Sequence, residues 1–118
     1  MSRDAGARAE RQAVCFLLSR GLRLLKRNFL CRFGEIDLLM EDHGTVAVVE
    51  VRARRSPWPM TAAESVGPAK QARILLATRC LLARMPHLEQ YPIRFDVVAI
   101  SGRHGDNSIN WIRDAFRP

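Results

Sequence analysis

Two neighbouring segments, residues 34–42 and 45–53, constrain the fold of this chain more than any other part of it. Both are rich in Val, Leu and Ile, and only His43 and Gly44 separate them, which predicts a β-hairpin with a two-residue turn. In that register one face of the hairpin is wholly apolar and is expected to lie in the core. The residues of this face are Ile36, Leu38, Met40, Ala47, Val49 and Val51.

The opposite face of the predicted hairpin carries charge. The register sets Asp37 opposite Glu50 and Glu35 opposite Arg52. The second pair is an ordinary cross-strand ion pair, whereas the first places two like charges where they repel each other. Either a basic side chain, Arg52 or Lys70, or a hard divalent cation such as Mg²⁺ or Mn²⁺ is expected between the two acids. The alternative is an edge strand that carries solvated charges.

The rest of the chain predicts helices and strands around this hairpin. A helix over residues 4–20, ended by Gly21, carries Glu10 on its apolar stripe. Glu10 is either a further carboxylate of the charged site or the partner of an Arg. Asp96 is expected to make a structural hydrogen bond or ion pair with an Arg. The other predicted elements are a strand over 22–33 that tolerates a bulge, a loop over 54–67, a helix over 68–85, a strand over 93–101, a turn over 101–107, and a short strand over 108–112 followed by Phe116, which docks the tail.

The charge balance favours a polyanionic partner. The chain has 19 Lys and Arg residues against 12 Asp and Glu, a net charge of +7. It therefore either binds nucleic acid or uses this charge for solubility alone. The arginines expected to contact phosphate are Arg32, Arg54, Arg55 and Arg73, while Trp58 either stacks on a base or pins its own loop.

Several classes of protein are excluded by what the sequence lacks. Cys15, Cys31 and Cys80 are odd in number and far apart, which predicts reduced thiols rather than disulfides. No apolar segment suits a signal peptide or a membrane span, so we expect a cytoplasmic protein with no membrane partner. There is no Gly-rich phosphate loop, Gly-x-Ser-x-Gly elbow or dinucleotide fingerprint, which argues against nucleotide hydrolysis and acyl transfer.

Several short motifs occur in the order and spacing of a known family. They are Gly6 and Glu10, GEIDL at 34–38, VEVR at 49–52, Lys70, and RFDVV at 94–98. On these motifs the chain resembles the uncharacterised YraN family over nearly its whole length. That family is similar in turn to proteins of the restriction-endonuclease-like fold, and within it to archaeal Holliday junction resolvases.

This resemblance implies an α/β fold with a restriction-endonuclease-like core. The expected architecture is a mixed central β-sheet with an antiparallel hairpin flanked by helices, in the order αβββαβ with room for an extra C-terminal strand. A single nuclease-like domain would then occupy residues 1–118.

The resemblance also implies the chemistry of the site. Asp37, Glu50 and Glu10 match the metal-binding carboxylates of the nuclease pattern and would hold Mg²⁺ or Mn²⁺. Arg52 stands where that pattern has Lys, so it is expected to offset charge on the phosphate, and Lys70 is expected to compensate from the second helix. Asp37, Glu50, Arg52 and Lys70 are thus the predicted catalytic residues.

Three functions are compatible with these observations. The first is a metal-dependent endonuclease that cleaves branched or structured nucleic acid, with DNA favoured over RNA. The second is a catalytically inactive nucleic-acid-binding module that retains the nuclease fold. The third is a protein-interaction domain whose charged hairpin meets an acidic partner. Because a resolvase must cut two strands, the resemblance favours a symmetric homodimer.

Overall fold

The computed structural model describes residues 3–54, 66–103 and 106–118. Arg55 and Trp58 lie outside these ranges, and the side chain of Arg54 is also outside the described part of the chain. The phosphate and base contacts expected of these three residues therefore stay predictions.

One mixed β-sheet forms the centre of the described structure. Its strand order follows the chain, and all neighbouring strands are antiparallel except the third and fourth, which are parallel. Parallel neighbours need a crossover connection, and the one between these two strands contains a helix. The strands are β1 (Arg23–Cys31), β2 (Gly34–Asp42), β3 (Thr45–Arg54), β4 (Ile93–Arg103) and β5 (Asp106–Ile112).

A helix packs on each face of this sheet. One face buries Leu38, Met40, Ala47 and Val49 with Ala13 and Leu17 of α1 (Arg3–Ser19). The other face buries Leu39, Val46 and Val48 with Ile74 and Leu81 of α2 (Pro68–Arg84). The predicted mixed α/β class is therefore confirmed.

The helix ends follow local chemistry. After α1, Gly21 has a φ of 91°, and the N–H of Leu22 donates to the carbonyl of Leu17 at 3.1 Å, which is a Schellman ending. Pro68 occupies the start of α2, and Pro86 follows its end and opens a 3-10 turn, Pro86–Gln90. Among the described residues, neither helix has the length and apolar character needed to cross a bilayer.

The predicted register of the hairpin is confirmed over residues 38–49, which leaves out the predicted pairs of Asp37 with Glu50 and of Glu35 with Arg52. Asp42 pairs with Thr45, and the pairs continue to Leu38 opposite Val49. His43 and Gly44 both have positive φ, 49° and 93°. Positive φ at both central residues is the type I′ geometry that suits the twist of two antiparallel strands.

One predicted face of the hairpin is wrong in part. Ile36 was expected beside Leu38, yet Ile36 packs in the cluster under α2, whereas Leu38 packs under α1. The alternation of side chains is broken at Asp37, where the regular pairing of β2 with β3 has ended. Opposite this point on β1, Asn28 has a φ of 52°, a second irregularity. The sheet therefore opens at Asp37.

The C-terminal hairpin is longer than predicted. The pairs of β4 with β5 extend to Arg103 opposite Asp106, so most of the expected turn over 101–107 is strand. Phe116 docks as predicted, because its ring stacks on Phe95 with the centroids 5.3 Å apart.

Asp96 is a structural residue, as predicted. It is fully buried in β4 and accepts hydrogen bonds from Arg94 Nε at 2.8 Å and Nη2 at 2.9 Å. Trp111 Nε1 and the backbone N–H of Asp114 also donate to it, at 3.0 and 2.9 Å. These bonds join the C-terminal residues to the centre of the sheet.

Candidate metal centre

Asp37 lies at the point where β2 and β3 separate. Its Oδ2 accepts a hydrogen bond from the backbone N–H of Val51 at 2.8 Å. A side-chain oxygen thus satisfies a donor of β3 beyond the last regular pair, Leu38 opposite Val49. This bond holds the carboxylate inside the opening of the sheet.

Two further carboxylates approach Asp37. Glu10 comes from α1 and Glu35 from the start of β2, and one ligand oxygen of each lies within 4.8 Å of the others. Glu35 is exposed, whereas Glu10 and Asp37 are half-buried. Three acidic groups, one from α1 and two from β2, therefore converge where β2 and β3 separate.

Glu50 contributes a fourth carboxylate from β3. It is only 4% exposed, and it shares a side-chain hydrogen bond with Asp37. Lys70 reaches it from the first turn of α2, with Nζ 2.6 Å from Glu50 Oε2. The Lys70 side chain remains 40% exposed, so this ammonium group lies between the buried acid and solvent.

The crowding of acids changes the protonation of Asp37. Burial, followed by the charge of Glu50 and the hydrogen bond with it, raises the pKa of Asp37 from 3.8 to about 9. The bond from Val51 acts in the opposite direction but does not prevail. Unless a cation binds beside it, the Asp37 carboxyl group is therefore protonated at neutral pH.

The donor set fits a hard divalent cation. Mg²⁺ and Mn²⁺ prefer oxygen ligands, and Glu10, Glu35 and Asp37 supply carboxylate oxygens alone, with Glu50 beside Asp37. Burial, and then the neighbouring acid Glu50, raise the pKa of Asp37. A cation bound beside this carboxyl group would favour its ionised form.

The structure places most of the residues predicted for the site around Asp37. Glu10 approaches Asp37 from α1, Glu50 lies beside Asp37 on β3, and Lys70 pairs directly with Glu50. Arg52 lies two residues after Glu50 on β3 and is half-buried. Their predicted metal-binding and catalytic roles remain predictions.

Glu35 is the acidic residue that the sequence interpretation missed. It was assigned to a cross-strand pair with Arg52; the regular pairs of β2 with β3 end at Leu38 opposite Val49, so that ion pair stays a prediction. Glu35 lies beside Glu10 and Asp37. The i, i+2 spacing of Glu35 and Asp37 was the available indication, because such residues share one side of a strand.

The two predicted phosphate-binding arginines that are described lie on the α2 side. Arg73 is exposed on α2, and its Cβ would be 3.9 Å from a Cβ built on Gly34. Arg32 is exposed in the turn between β1 and β2, with its guanidinium 4.8 Å from the centre of the Phe33 ring. Both are therefore near the strand that carries Glu35 and Asp37.

Comparison with known proteins gives one consistent result. A family model described as "Uncharacterised protein family UPF0102" matches residues 9–100. The chain is 48% identical over 115 residues to a UPF0102 protein of Nitrosococcus oceani, covering 98% of this chain and 93% of the relative. It is 48% identical over 113 residues to one of Nitrosomonas europaea, covering 96% and 93%. A Pseudomonas putida relative is 43% identical over 113 residues, covering 95% and 92%.

Proposed function

This chain belongs to the uncharacterised protein family UPF0102, the YraN family, and on that premise we propose that it is a divalent-metal-dependent endonuclease acting on branched or otherwise structured DNA. The resemblance to the YraN family is thereby confirmed. Because the family is uncharacterised, the proposed activity rests on the site itself.

The carboxylate site carries the proposal. Folding alone disfavours a buried acid whose neighbours are also acids, because desolvation and repulsion both act against its ionised form. Asp37 is nevertheless held by Val51 at 2.8 Å beside Glu50, with Glu10 and Glu35 close by. Costly acidic clusters of this kind are typical of functional sites.

The topology supports a nuclease-like assignment. The first six elements run αβββαβ, with β5 as the additional strand. The acids lie where β2 and β3 separate, and a helix packs on each side of the sheet. We therefore assign the chain to the restriction-endonuclease-like fold as part of the proposal.

The acidic side chains would hold the cation. Asp37 and Glu50 are its proposed central ligands, supported by Glu10 and by Glu35. A divalent cation there would supply a Lewis acid that neutralises phosphate charge and activates water. The hydrogen bond from Val51 fixes the orientation of Asp37 before any ligand arrives.

The basic side chains would bind the phosphate. Lys70 is held 2.6 Å from Glu50 and is partly exposed, so its ammonium group can contact a phosphate oxygen from the solvent side. Arg52, on the same strand as Glu50, carries a guanidinium group that would offset charge on the scissile phosphate. The nuclease pattern has a Lys at the position of Arg52, and here Lys70 would take over the role of that Lys.

A cleavage assay tests this proposal. Purified protein is incubated with Mg²⁺ or Mn²⁺ and with four-way junction, flap, single-stranded and duplex DNA, and RNA versions of the same substrates. We expect cleavage of a junction or flap by the parent and by Asp42→Asn, and none by Asp37→Asn. Asp42 is the matched control, because it is an acid of the same strand that pairs with Arg94 away from the site. Equal cleavage by Asp37→Asn would assign the cutting to a contaminant.

The second candidate is an inactive module that binds nucleic acid. Arg52 favours it, because Arg does not act as a base. This candidate predicts binding that weakens as salt rises, without hydrolysis under any metal. For the active form we also propose a symmetric homodimer in the cytoplasm, since paired incisions need two sites. Sedimentation of the protein with and without a junction tests the dimer.

A further inference from the structure

A basic groove lies away from the carboxylate site, between the turn that joins β1 to β2 and the C-terminal half of α2. It has a volume of about 620 Å³, and Arg32, Arg79 and Arg84 line it. Among the described residues, none of these three arginines takes part in an ion pair. Their charge is therefore available to an anionic ligand. We call this feature the arginine groove.

The arginine groove also has an apolar wall. Phe33 and Leu76 line it, and Leu76 is exposed although it is large and hydrophobic. The Arg32 guanidinium lies over one face of the Phe33 ring. A DNA duplex presents phosphates but hides the faces of its bases, so it would leave the rest of this wall without a partner. Unpaired bases offer faces that stack on aromatic rings next to a basic track.

The surface of α2 connects the groove with the carboxylate site. Lys70, which pairs with Glu50, is followed by Arg73 one helical turn later and by Leu76 after another. From Lys70 to Cys80, which lines the groove, the helix rises by roughly 15 Å. Arg73 approaches Gly34, so the turn between β1 and β2 borders this path. A strand of a few nucleotides can span both places.

We propose that the arginine groove binds an unpaired nucleic-acid strand that leads away from the carboxylate site. The proposal deepens the proposed function and rests on it for the identity of the substrate, a structure with a single-stranded arm. Binding itself requires neither the cation nor cleavage. It can therefore be measured in EDTA, and its failure is distinguishable from failure of the nuclease proposal.

The chain carries its own probes for this experiment. Cys31 and Cys80 line the arginine groove, whereas Cys15 is exposed on α1 in a different depression. The unmodified protein is alkylated with iodoacetamide in EDTA, with and without saturating oligothymidylate, and each cysteine is followed by mass spectrometry. We expect oligothymidylate to slow alkylation of Cys31 and Cys80 several-fold and to leave Cys15 unchanged. Equal rates at all three cysteines with and without the oligonucleotide would overturn the proposal.

Charge reversal gives an independent test. Arg79→Glu is expected to weaken oligothymidylate binding roughly tenfold and to lower the salt slope by about 0.7, the contribution of one phosphate contact to a single strand. Arg20→Glu makes the same change at the exposed end of α1 and is expected to leave affinity unchanged within about twofold. Equal losses in the two variants would show a general charge effect and would refute the groove.

A comparison of strands tests the unpaired state. Phe33→Ala is expected to weaken oligothymidylate binding by roughly tenfold, because one stacked base is lost, and to leave duplex binding unchanged. The inference would be contradicted if a duplex of the same length bound as tightly as oligothymidylate and protected Cys31 and Cys80 equally. The duplex would also have to lose the same affinity in Phe33→Ala. Throughout these measurements, the increase in melting temperature with Mn²⁺ reports on the carboxylate site separately.

Discussion

Replacing Asp37 by Asn should stabilise the metal-free protein, although it removes the central residue of the site. Asn is nearly isosteric with Asp, and its Oδ1 can accept the same bond from the N–H of Val51. Its amide can donate to Glu50, the bond that a protonated Asp37 makes. The substitution therefore keeps the hydrogen bonds and removes only the titration.

The expected magnitude follows from the raised pKa of Asp37. In the unfolded chain this group loses its proton above its ordinary pKa of 3.8, whereas the folded chain keeps the proton up to about pH 9. The protonated group therefore contributes its full stability below pH 3.8. This contribution is lost as the pH rises from 3.8 to about 9. The loss is about 1.4 kcal/mol for each pH unit, or roughly 4 kcal/mol at pH 7. Because water partly screens the group, we expect about half of this.

Urea unfolding in EDTA measures this effect. At about pH 7, Asp37→Asn should be more stable than the parent by about 2 kcal/mol, and the difference should shrink towards about pH 5. Asp42→Asn is the control of opposite sign, because the hydrogen bond from His43 and the contact with Arg94 lower the pKa of Asp42. Loss of the Asp42 carboxylate should lower the free energy of unfolding at neutral pH. This effect should become smaller as the pH falls. A parent that is as stable as Asp37→Asn at every pH would refute the reasoning.

Three further predictions concern the same structure. Saturating Mn²⁺ should raise the melting temperature of the parent by several degrees, because a ligand at about 100 times its Kd adds about 2.7 kcal/mol to the free energy of unfolding. The shift should be absent in Asp37→Asn, and an equal shift in that variant would place the ion elsewhere. Lys70→Met should destabilise the metal-free protein by about 2 kcal/mol in urea unfolding, since it leaves the buried Glu50 without its ion pair. Adding Glu50→Gln should restore part of the lost stability, and an unchanged stability in Lys70→Met would mean that the 2.6 Å pair does not form in solution. Asp96→Ala should cost about 3 kcal/mol or more, because the buried acid accepts bonds from Arg94, Trp111 and the backbone of Asp114, and a smaller cost than that of Asp114→Ala would contradict its structural role.

The hairpin register was predictable from sequence because two local features agree on it. The apolar pattern and the residues His43 and Gly44 both require Asp42 opposite Thr45, and the structure has this pair. Asp96 was also predictable, since an acid on an apolar strand must find a donor, and Arg94 is two residues away. Local chemistry was sufficient in both cases.

The opening of the sheet was not predictable in the same way. It depends on the Asp37 side chain taking the N–H of Val51, a contact between strands that periodicity does not encode. Next to this contact, Ile36 packs in the cluster under α2 and Glu35 lies near Glu10. The pair of Lys70 with Glu50 likewise requires α2 to lie across β3, which only the assembled fold determines.

The central claim is that the acids around Asp37 bind a divalent cation, and a crystal structure with Mn²⁺ tests it most directly. Anomalous scattering from crystals of the parent soaked in Mn²⁺ should give a peak within bonding distance of Asp37 and Glu50, with Glu10 or Glu35 beside it. Crystals of Asp37→Asn treated in the same way should lack that peak. Saturated parent crystals with these carboxylates well ordered and no manganese between them would contradict the claim.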